Sequence, residues 1–201
     1  MDDCRARVRA LFGLDLGRDE LDKLSLHLDA IEEWSTRMNL VAALSRGELV
    51  ERHVVDSLAL EAFVATAGRV ADFGSGAGFP AIPLAIVSPA TEFHLIESRM
   101  KRATFLRHVA RTLRLANVRV WDARGEAWEP PAPIDVVTGR ALRLETLAAL
   151  ASRTLARNGK MAVMRKWARE VPALTGFVVA RRSDYVLREA LRHEVIVYER
   201  R

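Results

Sequence analysis

From residue 70 onward, short apolar runs alternate with longer stretches whose apolar residues recur at helical spacing. The runs Val70–Phe73, Glu92–Ile96, Val118–Trp121, Ile134–Thr138 and Lys160–Met164 read as strands, with helices near 80–88, 100–115 and 143–157 between them. Such an alternation implies a mostly parallel sheet covered by helices on both faces. Beyond Trp167, the apolar runs Asp184–Leu187 and Glu194–Tyr198 flank a short basic stretch and read as a terminal antiparallel hairpin. Upstream, residues 19 to 65 read as helical. Leu21, Leu24, Leu28, Ile31 and Trp34 mark one amphipathic helix, and Leu49, Val50, Val54, Leu58 and Leu60 mark another from about Arg46 to Ala65. The expected organisation is a helical extension over residues 1–66 and an α/β domain over 67–201.

Composition narrows the setting. At 201 residues the chain holds one domain and a modest extension, and its 50% hydrophobic and 28% charged content is ordinary for a soluble globular protein. The net charge is +5; of the 31 basic residues four are Lys (23, 101, 160 and 166), which leaves 27 Arg. Arginine's planar fork suits phosphate and stacks on bases, although a G+C-rich genome produces the same bias. One cysteine, Cys4, permits no internal disulfide, and the five histidines lack a metal-ligand spacing, so no metal is expected. With neither a signal-peptide pattern nor an apolar run of membrane-spanning length, the expectation is a cytoplasmic protein without a membrane partner.

The chemistry concentrates in Asp72-Phe73-Gly74-Ser75-Gly76-Ala77-Gly78-Phe79-Pro80. A strand, a glycine turn and a helix in that order allow a cofactor to approach bare backbone. A phosphate loop would need G-x-x-x-x-G-K-[ST], which is absent; a dinucleotide turn would need glycine where Phe79 stands. The pattern is G-x-G-x-G after Asp72, with Glu97 ending the next strand 23 positions beyond Gly74. It resembles the S-adenosylmethionine site of class I methyltransferases. In that reading Gly74, Gly76 and Gly78 admit the methionine part and Glu97 accepts the ribose hydroxyls. The [N/D/S]-P-P-[Y/F/W] motif of amino-methylating enzymes does not follow the fourth strand, and no cysteine lies near for carbon-5 chemistry.

Trp34, Asn39-Leu40, Arg52-His53-x-x-Asp56-Ser57, the Asp72–Pro83 loop, Lys101-Arg102-x-x-Phe105-Leu106 and Arg140-Ala141 together are similar to the RsmG (GidB) family over roughly residues 20 to 200. That resemblance implies a Rossmann-like class I methyltransferase domain with an N-terminal helical extension. It further implies methylation of N7 of a guanosine in bacterial small-subunit (16S) ribosomal RNA, with that RNA or the small subunit as partner. By position it places Gly74 and Phe79, Gly125 and Glu126, and Arg140 at the cofactor. Lys101, Arg102, Arg124 and Lys166 fall at basic positions for RNA, and Arg140 and Lys166 position the reaction. Phe73 stands where a smaller β-branched residue is usual, and Gly125 where the family tolerates an apolar side chain.

Guanine N7 carries its own in-plane lone pair, so alignment rather than a general base is expected to supply the rate. N7 faces the deep groove of A-form RNA, so the target is expected in a loop, bulge or distorted helix. A monomer is expected. The competing readings are a methyltransferase of another RNA or of a small molecule, and a non-catalytic RNA-binding relative.

Overall fold

A computed structural model describes residues 1–42, 45–140 and 142–201. Ala43, Leu44 and Ala141, the last a member of the Arg140-Ala141 pair, lie outside the described residues. The seven strands are β1 (Arg69–Phe73), β2 (Glu92–Glu97), β3 (Val118–Asp122), β4 (Ile134–Thr138), β5 (Leu155–Lys166), β6 (Phe177–Val186) and β7 (Arg192–Arg200). They form one sheet in the order β3-β2-β1-β4-β5-β7-β6, parallel from β3 to β5 and antiparallel from β5 to β6. The chain order reverses between β1 and β4, which opens a crevice beyond their carboxyl ends.

Helices α1 (Asp2–Phe12) and α2 (Arg18–Ser35) begin the chain. On α2 the buried Leu21, Leu24, His27, Leu28 and Ile31 form one stripe, while Asp19 and Glu20 complement the helix dipole at its start. The expected single helix over 46–65 is instead broken. It starts as α3 (Arg46–Leu49), widens into a π-helical turn at Val50–Val55, and resumes as α4 (Asp56–Leu58) and α5 (Glu61–Val64). Ser45 caps α3 through a reciprocal pair: its hydroxyl accepts from the Glu48 N–H, and the Glu48 carboxylate accepts from the Ser45 N–H at 2.9 Å. The wide turn carries Arg52 and His53, and Asp56 follows it immediately; π turns of this kind recur at functional sites.

The remaining helices are α6 (Ala81–Val87), α7 (Met100–Thr112) and α8 (Leu144–Thr154). Pro83 is tolerated in the first turn of α6, where its N–H would have no helical partner. Side chains of α1, α2, the π turn, α6 and α7 join β1 and β2 in one buried apolar cluster, and α8 closes a second cluster on the opposite face. Three boundaries differ from the sequence reading. The helix expected to reach 157 stops at Thr154, and β5 begins at once. The hairpin strand expected at 184–187 is ten residues long, Phe177–Val186. Asp2–Phe12, not foreseen as a helix, forms α1. Among the described residues no helix is long and apolar enough to cross a membrane.

Candidate active site

β1 delivers the glycine turn to the crevice. Gly74 and Gly76 take φ of +73° and +54°, a region that favours glycine, and a side-chain carbon on either would meet no atom closer than 3.5 Å. A Cβ there would make only ordinary contacts, so the positive φ rather than a lack of room is what calls for glycine. Glu97, at the end of β2, pins the turn: Oε2 accepts from the Gly76 N–H at 2.9 Å and Oε1 from the Arg99 N–H at 2.8 Å. Gly78 points the other way. At φ +90° its position would bring a Cβ within 2.6 Å of Ile82, so it serves the close packing of the loop against α6. Phe79 is buried as well, with the rings of His53 and His27 each 4.9 Å from its own.

Asp72 lies beneath the turn. It is 1% exposed, both carboxyl oxygens lack a hydrogen-bond partner, and the Ser75 hydroxyl donates to its main-chain carbonyl at 2.8 Å. Burial pushes its carboxyl up to about 7; the nearby Ser75 hydroxyl opposes this and the Glu97 charge adds to it. Between the ordinary value of 3.8 and 7 the folded chain keeps a proton that the unfolded chain has lost, so stability falls as pH rises through that window. Asp72→Asn is thus expected to raise the melting temperature of the cofactor-free protein increasingly from pH 5 to pH 8. A variant–parent difference that stays flat over that range in thermal unfolding would contradict it.

Beside the turn, β1, β2, the loop after β3 and α8 enclose a cavity of about 160 Å³. Phe73, Ile96, Leu142 and Leu150 supply apolar walls, and Arg124, Gly125 and Glu126 line the loop side. A Cβ on Gly125 would sit 2.9 Å from Leu150 Cδ1 and 3.1 Å from Phe73 Cδ1. Leu150 and the Phe73 ring together fill the space that a side chain at 125 would need.

Arg140 stands two residues past β4. Its guanidinium donates to the Arg52 carbonyl at 2.7 Å and to His53 Nδ1 at 2.9 Å, and pairs with Asp56 Oδ2 at 2.9 Å. Asp56 Oδ1 in turn accepts from the Tyr185 hydroxyl at 2.6 Å and from His193 Nδ1 at 2.8 Å. Burial alone would raise the Asp56 carboxyl; the bond from His193, the Arg140 charge and the Tyr185 hydroxyl bring it below its usual value. His53 is lowered to about 4, by burial first and then by Arg140, and burial takes His27, bonded to the Ala77 carbonyl at 2.8 Å, to about 4 too. Both rings are neutral near pH 7. His193 and Tyr185 could not be connected with Asp56 in the sequence, because well over a hundred residues separate them.

Arg102 is half-buried, donates to the Asn39 carbonyl at 2.8 Å, and reaches towards the Gly76 side of the turn. Lys101, Arg124, Glu126 and Lys166 are exposed. The structure thus gathers Gly74, Gly76, Glu97 and Arg102 around the turn and Gly125 and Glu126 at the cavity, while Arg140 and Lys166 lie farther along the strand ends. A larger groove of about 620 Å³ opens at the amino ends of the strands, but its polar groups serve one another: Lys160 pairs with Glu199 at 3.1 Å, and Asp135 accepts from the Gly68 and Arg69 N–H groups.

An orphaned buried carboxyl, bare backbone and an apolar slot at one crevice suit a ligand with a cationic centre, a polar chain and a flat ring. S-adenosylmethionine has all three. The fold and site define a class I S-adenosylmethionine-dependent methyltransferase. Solved structures agree on the fold: the O-methyltransferase TomG from Streptomyces achromogenes matches with a TM-score of 0.63 at 14% identity, over 99% of this chain and 96% of that one. TrmN from Thermus thermophilus matches with a TM-score of 0.54 at 18% identity, over 74% of this chain and 49% of that one. The GidB family profile, described as rRNA small subunit methyltransferase G, matches residues 20–175, and the chain belongs to this family. Its relative from Xanthomonas campestris pv. campestris (strain B100), named ribosomal RNA small subunit methyltransferase G, is 40% identical over 145 residues, 72% of this chain and 67% of the relative. The protein of the same name from Xylella fastidiosa (strain M23) is 43% identical over 129 residues, 64% of this chain and 60% of the relative.

Proposed function

We propose that the protein methylates N7 of a guanosine in small-subunit (16S) ribosomal RNA. Family membership supports the RNA substrate. The observation that carries N7 is the group at the end of β4: Arg140 is a fixed cation, and the lone pair of its neighbour His53 is occupied by the Arg140 N–H. Neither is available to remove a proton. Guanine N7 needs no such removal, since its lone pair forms the new bond to carbon while the departing sulfur keeps the old bonding pair. S-adenosylmethionine supplies the methyl group as a sulfonium substituent. Gly74 and Gly76 would hold its methionine part, Glu97 its ribose, and Gly125 and Glu126 its adenine edge, with Phe79 buttressing the loop from behind. Arg140 keeps the end of β4 in place for the base, and Lys101, Arg102, Arg124 and Lys166 would take phosphates.

The test is incubation of the protein with labelled S-adenosylmethionine and unmodified small-subunit RNA or subunits, followed by borohydride–aniline cleavage. Scission at one guanosine is expected. Label in RNA without scission would move the acceptor to another atom, and no label in either substrate would remove RNA as the acceptor.

A further inference from the structure

Four tryptophans occur in the chain, and three are packed. Trp34 lies against Phe105 and His108, while Trp121 stacks on His94 and Trp128 packs against both, edge to face with Trp121. Trp167 differs: it is 39% exposed, directly after β5 and beside the exposed Lys166. Its backbone N–H donates to the Arg192 carbonyl at 2.9 Å, and the Arg192 guanidinium carbon lies 4.4 Å from the indole centroid. Arg182 adds a second cation at 5.6 Å. Both guanidiniums are held by acids, Arg192 by Asp184 at 2.9 Å and Arg182 by the buried Glu194. The result is a partly exposed indole with two guanidinium groups set against its ring.

We propose that Trp167, with Arg192 stacked on its indole, is a platform for an unpaired RNA base that flanks the methylated guanosine. This rests on the RNA-substrate reading above. Exposed aromatics and arginine planes are the groups on which single-stranded bases stack, and a cation beside the ring also suits the adjoining phosphate. The platform belongs to the rim of the crevice. Lys166 is the register partner of His193, His193 bonds Asp56, and Asp56 bonds Arg140 at the end of β4. Met161 is level with Val137 of β4, so Trp167 stands six residues farther along, roughly 20 Å at the rise of a strand. That separation puts it out of reach of the methylated base itself and suits a base a few nucleotides away along an opened loop.

Methylation of an unmodified small-subunit RNA transcript by the parent, Trp167→Ala and Trp167→Phe tests the assignment. Trp167→Ala is expected to raise KM for RNA about tenfold, leave kcat at saturating RNA and the Kd for S-adenosylmethionine unchanged, and be largely rescued by Trp167→Phe. In the parent, RNA is expected to shield Trp167 emission from iodide quenching. A purely structural clamp would lower Tm and leave KM alone, and a KM within twofold of the parent overturns the platform. If the alanine variant fails to fold, Trp167→Leu keeps apolar bulk without a π face and is held to the same criterion. An absence of methylation by the parent on both the transcript and the small subunit would instead overturn the RNA-substrate reading.

Discussion

Asp56→Ala is expected to cost about 3 kcal/mol of folding stability, the low end for breaking a buried pair, because it leaves the half-buried Arg140 cation without its counter-charge but still bonded to the Arg52 carbonyl. The carboxylate is 1% exposed and serves three partners from separate parts of the chain: Arg140 past β4, Tyr185 on β6 and His193 on β7. Removing it also leaves the Tyr185 hydroxyl and the His193 N–H without an acceptor, and unmet buried donors cost about as much as the bonds were worth or more. Asp56→Asn is expected to recover little of this, since its amide nitrogen would face one of these donors and it carries no charge for Arg140. Urea unfolding at pH 7 checks the series; a loss below about 1 kcal/mol for the alanine variant would mean that Arg140 finds other partners. Since the Asp56 carboxyl is held below its usual 3.8, its contribution is complete above that pH and disappears as pH falls through the lowered value.

The second large effect is on the cofactor. Glu97→Ala is expected to weaken S-adenosylmethionine binding about 100-fold, or about 2.8 kcal/mol. Each Glu97 oxygen accepts from a backbone N–H, one of them in the glycine turn, and hydrogen bonds to a charged acceptor are worth about 1.5–3 kcal/mol apiece. Without them the turn loses its anchor as well as the proposed acceptor for the ribose. Glu97→Gln should fare little better, since its amide nitrogen would face one of those N–H donors. Isothermal titration decides: full affinity in either variant would displace the cofactor from this crevice.

The parallel strands β1, β2 and β4 were legible because nearly every residue in them is buried, on both faces, and reads as an apolar run. β6 was not. Of its ten residues only Phe177 and Tyr185 are buried, and Arg181, Arg182 and Asp184 leave it without a recognisable pattern. That is the composition of an edge strand, which charged side chains protect from pairing with other chains. Helix α1 escaped for a related reason: its buried stripe is just Cys4 and Val8, too narrow for a periodic signal. At the site, the glycines, Asp72 and Glu97 could be read together because they are close in sequence and share a motif. Arg140, Asp56, His53, Tyr185 and His193 meet only through the folded topology, and Asp56 was visible beforehand as part of Arg52-His53-x-x-Asp56-Ser57 and no more.

The position of β7 has a consequence for synthesis. It is the last strand in sequence, yet it lies inside the sheet between β5 and β6. During translation β6 therefore leaves the ribosome before the strand it pairs with, and β5 waits with one edge open for the same partner. Residues 192–200 close both ladders at once and bring His193 to Asp56 in the same step. Until then the nascent chain carries two unpaired strand edges, the form most prone to join another chain.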